Sequence, residues 1–182
     1  ANISGGVSPY TYSINGSVFA PVDTFTALGS NAYTLTYKDD NGCTASEIIS
    51  LSQPLPLQSF ILSTNNISCY GSGDGSIDIA ISGGTQNLTP PLYNVSWLST
   101  NGWTSNATNL TNIMQEGTYT ATIIDANGCQ TPSISQYISE PNALHATTIA
   151  YPVSCYGYSD GGIDLFLVGG SPPYTYSWVG PN

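Results

Sequence analysis

Ile67-Ser68-Cys69-Tyr70-Gly71-Ser72-Gly73-Asp74-Gly75-Ser76-Ile77-Asp78-Ile79-Ala80-Ile81-Ser82 decides the fold twice over. In its second half Ile77, Ile79 and Ile81 alternate with Asp78, Ala80 and Ser82, a period of two that marks a strand with one buried face. Its first half returns as Val153-Ser154-Cys155-Tyr156-Gly157-Tyr158-Ser159-Asp160-Gly161-Gly162-Ile163-Asp164, which sets Cys155 86 residues after Cys69. A second block keeps the same period, Asp39-Asp40-Asn41-Gly42-Cys43 returning as Asp125-Ala126-Asn127-Gly128-Cys129. Internal repetition on one period makes this an array of like units.

Working outward, a third block occurs three times. It reads Gly5-Gly6-Val7-Ser8-Pro9-Tyr10-Thr11-Tyr12, then Gly83-Gly84 with Pro90-Pro91-Leu92-Tyr93 after an insertion, then Gly169-Gly170-Ser171-Pro172-Pro173-Tyr174-Thr175-Tyr176. Gln53-Pro54 and Glu140-Pro141 close their units and read as linkers. The chain therefore divides into the C-terminal part of one repeat (1–54), a complete repeat (55–141) and the N-terminal part of a third (142–182). Neither end falls on a repeat boundary, and the opening Ala1-Asn2-Ile3-Ser4-Gly5-Gly6 is turn-rich and unlike a signal peptide, so a window cut from a longer array is expected.

The other candidate strands alternate in the same way. Tyr33, Leu35 and Tyr37, Tyr119, Ala121 and Ile123, and Tyr93, Val95 and Trp97 face one side, with Thr, Ser and Asn prominent on the other. Asn41-Gly42 and Asn127-Gly128 supply the turn between the last two strands of a unit. No helical stripe with caps is present. About seven short strands in a unit of this length predict an all-β fold of tandem immunoglobulin-like β-sandwich repeats in an elongated array.

Composition removes several functions. The chain carries one Lys and no Arg against 11 acidic residues, a formal charge of −10, so binding nucleic acid by counterion release is not available to it. No apolar run is long enough to cross a membrane as a helix, so no membrane insertion is expected of this segment. Solubility rests on 24 Ser, 20 Thr and 15 Asn rather than on charge.

Three patterns together resemble the SprB repeat of Bacteroidota surface proteins. They are Cys69, Gly71, Asp74, Gly75 and Ile77; then Gly83, Gly84, Tyr93 and Trp97; then Gly117, Thr118, Tyr119, Asp125, Asn127, Gly128 and Cys129, closed by Glu140-Pro141. The chain departs from the pattern at the insertion before Pro90 and at Ile14, where the other units carry Trp. The resemblance implies a long, filamentous, extracellular adhesin on the cell surface, used by some members in gliding motility.

Four cysteines in such a setting point to disulfides. A Cys69–Cys129 bridge inside the complete repeat would close a loop of about 60 residues and stabilise by about 4 kcal/mol in the loop-entropy view. Cys43 and Cys155 would then pair outside the window. The alternatives are staples between consecutive repeats, Cys43–Cys69 with Cys129–Cys155, or free thiols. Asp74 and Asp78, with Asp160 and Asp164, are weak calcium candidates, since the ligand spacing of a calcium loop is missing. His145 has no partner at metal-ligand spacing, no nucleophile motif is present, and neither enzymatic activity nor a cofactor is expected. Trp97 and Trp178 fall on inward positions, whereas Trp103 lies in a loop and is the candidate for an exposed contact.

The expected function is a structural stalk or filament segment of a large adhesin. Its expected partners are neighbouring repeats of the same chain, surface polysaccharide or other filament chains. Two alternatives stand beside it: a carbohydrate-binding module of a secreted protein, and a subunit of an extracellular sheath or fibre.

Overall fold

Alternation becomes strand except at Tyr174, Tyr176 and Trp178, which alternate like Tyr93, Val95 and Trp97 but lie in no strand. The computed structural model describes residues 4–180, and the turn-rich opening at Ala1, Asn2 and Ile3 lies outside them. Among the described residues there are twelve strands and no helix, all paired antiparallel. The chain forms two compact units, Ala1–Pro54 and Leu55–Asn182.

The first unit is one sheet of three strands, β1 (Thr11–Ile14), β2 (Asn31–Lys38) and β3 (Thr44–Leu51), in the order β1-β2-β3. Gly42 turns β2 into β3 with φ at 84°, a conformation that glycine adopts without steric cost. The sheet's apolar face carries a groove lined by Ile14, Phe25, Leu28, Tyr33, Leu35 and Ile49. Lys38, the single base, sets its ammonium 4.6 Å from the centre of the Phe19 ring.

In the second unit, residues 55–141 close into a sandwich. One sheet holds β4 (Gln58–Asn65), β5 (Gly75–Ser82) and β8 (Leu110–Ile113) in the order β4-β5-β8. The other holds β6 (Asn94–Ser99), β7 (Thr104–Ser105), β9 (Gly117–Ile124) and β10 (Ile134–Ile138) in the order β10-β9-β6-β7. The count of seven strands is the one expected from the sequence. Ile77 and Ile79 from one sheet meet Val95, Trp97, Ala121 and Ile123 from the other in a single core. Trp97 is fully buried, and its indole N–H donates to the Ala107 carbonyl at 3.0 Å, so its one polar atom is satisfied.

Residues 142–180 begin the third repeat as a hairpin of β11 (His145–Tyr151) and β12 (Gly162–Val168). It matches β4 and β5 with one difference. The β4–β5 register shifts between Ile61 and Ser63, where Leu62 is an extra, exposed residue, whereas β11 pairs with β12 without a shift. This bulge explains why the linkers lie 87 apart while the cysteines lie 86 apart. Trp178, expected inside, is 60% exposed, because no second sheet covers it among the described residues.

Candidate functional site

The side chains that recur from repeat to repeat gather at the two ends of the sandwich. At the proximal end, where the chain enters from the linker, Gly84 donates its N–H to the Leu55 carbonyl at 2.8 Å. Gly83 and Gly84 have φ of 72° and 61°. A Cβ on Gly83 would run into the Pro56 carbonyl oxygen, and one on Gly84 would stand 2.9 Å from Asp125 Oδ2. The Gly-Gly pair is thus the seat on which the linker lies.

Asp125 clasps this seat to the turn after β9. Its carboxylate is buried (2% exposed) and accepts three backbone N–H groups: Thr85 at 2.8 Å, Cys129 at 2.8 Å and Asn127 at 3.0 Å. The Thr85 N–H above all, with those of Cys129 and Asn127, holds its carboxyl below the ordinary aspartate range against the opposing effect of burial. The first unit repeats the clasp: Asp39 accepts from Val7 at 3.1 Å and from Cys43 at 2.8 Å. Sequence reading treated these aspartates as part of a turn. The signal available was an acid four residues before each turn cysteine, paired with a Gly-Gly block 41 residues before it in the complete repeat and 33 before it in the first unit.

At the distal end, Asp74 closes the Ser68–Asp74 loop by accepting from the Ser68 N–H at 2.9 Å and the Ser72 hydroxyl at 2.6 Å. The hydroxyls of Ser68 and Ser72, with the Ser68 N–H, keep its carboxyl well below the usual range. Gly71 donates to Glu140 Oε1 at 2.6 Å, which ties this loop to the outgoing linker. In the third repeat Ser154 donates to Asp160 at 2.9 Å in the same way, and the Asp160 carboxyl is lowered by Ser154.

The remaining sequence candidates are placed as follows. Asp78 accepts from the Ser63 hydroxyl at 2.7 Å and Asp164 from the Tyr151 hydroxyl at 3.0 Å, so the four acids serve separate local bonds. Among the described residues no three His, Cys, Asp or Glu side chains converge on one point that could hold a metal. Trp103 is 46% exposed and meets Tyr119 edge-on, ring centres 5.8 Å apart at 72°. Its ring is half open to solvent, and the rest packs against the Tyr119 ring.

The structure does not bring Cys69 and Cys129 together. Cys69 lies in the distal loop and Cys129 in the proximal turn, with the eight-residue strands β5 and β9 running between the two ends. Such strands span about 23 Å, whereas a disulfide needs Cα atoms within about 7 Å. Cys43, Cys69, Cys129 and Cys155 are all unbonded and exposed. The bridge expected inside the repeat is therefore corrected by the position of its two loops.

Carboxylates that are more acidic in the fold than in the open chain stabilise it above the ordinary aspartate range, and that contribution is lost as pH falls through their folded values. Thermal stability should be level from neutral pH to about pH 5 and fall below about pH 4. Asp125→Asn, which offers one accepting oxygen in place of two, should lower the melting temperature of the complete repeat by roughly 5–10 °C at pH 7. It should also flatten the acid fall, as read by circular dichroism.

Compared with known families, the SprB repeat model matches residues 61–97 and 147–182. Those segments run from β4 to Trp97 and from β11 through Trp178, the same part of two successive units. No curated protein and no solved structure matches the chain.

Proposed function

From the premise that this chain carries SprB repeats, a repeat of cell-surface proteins, we propose that it is a non-catalytic stalk or filament segment of a large extracellular adhesin. The observation that supports this reading is that the recurrent residues build the ends of the module. Gly83, Gly84 and Asp125 receive the incoming linker, and Glu140 holds the distal loop beside the outgoing one. An enzyme or receptor concentrates its special residues in a cleft. A module used in series concentrates them where modules meet. Proline at 54, 56 and 141 stiffens the linkers, and the Thr- and Ser-rich outer faces with a charge of −10 oppose clumping. Adhesion and gliding would then depend on the reach that such a stalk gives to a binding part.

Small-angle scattering of the chain tests the stalk reading. Modules in series give a pair-distance distribution with a long tail, and a symmetric distribution would refute the reading. The exposed ring of Trp103 favours one rival, the carbohydrate-binding module. Sugar platforms present flat, exposed aromatic faces, whereas the partner of Trp103 is a buried Tyr119 set edge-on. A polysaccharide panel should show no difference between the chain and its Trp103→Ala variant. Binding lost in the variant would favour the module reading.

A further inference from the structure

We propose that the cysteines of this repeat bond across the junction between successive repeats, the distal-loop cysteine of one to the turn cysteine of the next. Cys69 is then the partner of the cysteine that closes the Asp-x-Asn-Gly-Cys turn of the third repeat. The pairing goes beyond the stalk reading and depends only on repeat register and junction geometry.

Three observations carry it. First, the two cysteines of one repeat lie at opposite ends, so each faces a neighbour and not its own mate. Second, the start of the third repeat rebuilds the proximal end of the complete one. Gly170 donates to the Asn142 carbonyl at 2.8 Å as Gly84 does to Leu55, and Ser171 stands where Thr85 stands. Third, this rebuilt end sits against the Cys69 loop: the Ser171 hydroxyl donates to the Ser68 carbonyl at 3.2 Å, and Cys69 and Tyr70 line one groove with Gly170, Ser171, Pro173 and Tyr174.

The position of the turn cysteine relative to the residue after the Gly-Gly pair is fixed twice in this chain. One carboxylate, Asp125, holds both the Thr85 and the Cys129 N–H, and Asp39 holds both the Val7 and the Cys43 N–H. The second backbone tie also recurs, Ala126 N–H to the Thr85 carbonyl at 2.9 Å and Asp40 N–H to the Val7 carbonyl at 2.9 Å. At the third repeat the same clasp would set its turn cysteine beside Ser171, whose side chain already touches the residue before Cys69. By the same register, each distal-loop cysteine takes the turn cysteine of the following repeat as its partner. The four thiols of this chain have no partner among one another, in keeping with their unbonded, exposed state.

The bond forms by exchange with a small-molecule disulfide such as oxidised glutathione. One cysteine thiolate attacks it and expels a thiol, and the second thiolate resolves the mixed disulfide and expels another. Two protons and two electrons leave the protein, and two free small thiols are made.

The test extends the full chain after Asn182 with a copy of residues 102–141, which continues the third repeat in register, Trp178 standing where Trp97 stands, and supplies its turn cysteine. After refolding in a glutathione redox buffer, a non-reducing digest read by mass spectrometry should show Cys69 joined to the added cysteine. Cys43, Cys129 and Cys155 should stay open to alkylation. In the unextended chain, Ser171→Cys should also form a bridge to Cys69 under the same buffer. An alkylated Cys69 in an extended chain with a native β-sheet spectrum overturns the proposal. So does a Cys69–Cys129 bond, or failure of Ser171→Cys to crosslink. Scattering on the same samples reads the stalk separately, so loss of the bridge and loss of the long particle are distinguishable.

Discussion

Trp97→Ala should cost the complete repeat about 3–5 kcal/mol, a large share of the 5–15 kcal/mol that holds an ordinary domain together. Trp97 fills the centre of the sandwich, with no exposed surface, between Ile77 and Ile79 on one side and Ala121 on its own. Truncation leaves a cavity and strands the Ala107 carbonyl that its indole N–H satisfied. The control lies in the same chain. Trp178 occupies the equivalent place of the third repeat, yet it is 60% exposed, so Trp178→Ala should change stability by less than about 1 kcal/mol. Urea denaturation of both variants, followed by far-ultraviolet circular dichroism, separates them. Equal losses would mean that the third repeat buries its tryptophan too, and would sink the account of a single closed core.

Gly83→Ala should be nearly as damaging, for a backbone reason. The residue sits at φ 72°, where a side chain costs about 1–2 kcal/mol in strain alone. Its Cβ would also enter the Pro56 carbonyl oxygen, which cannot swing aside as a flexible side chain can. Together these should remove about 3 kcal/mol or more and lift the linker off its seat. Gly102→Ala provides the comparison: φ is 81°, but its Cβ would meet nothing within 4 Å, so only the strain of about 1 kcal/mol should appear. Limited proteolysis distinguishes a lifted linker from general loosening, because Gly83→Ala should open a cut between Leu55 and Leu57 before any strand is lost. Equal behaviour of the two variants would remove the Gly-Gly pair from the junction.

The strands were legible because side-chain alternation is a local property. Ile77 and Ile79, Val95 and Trp97, and Tyr119, Ala121 and Ile123 all face the core as their spacing indicates. What local patterns do not carry is which loop meets which. The Asp125 clasp joins residues 40 apart in sequence, and Gly71 reaches Glu140 across 69. Both cysteines were visible as recurrent, but their pairing depends on which end of a sandwich each loop occupies, and strand direction sets that. Trp178 shows the same limit from the other side. Its position in the motif is that of Trp97, and only the sheet opposite decides whether it is buried.

Hydrogen exchange of the intact 182-residue chain, resolved to peptides, tests most directly the claim that a repeat is a closed two-sheet module. Amides of β5, β6 and β9, which share the closed core, should exchange slowest. Those of β2, β3, β11 and β12, each in a sheet whose apolar face no second sheet covers among the described residues, should exchange at least about a hundredfold faster. Equal protection of β2 and β6 would contradict the account, because a single sheet would then be as stable as the sandwich.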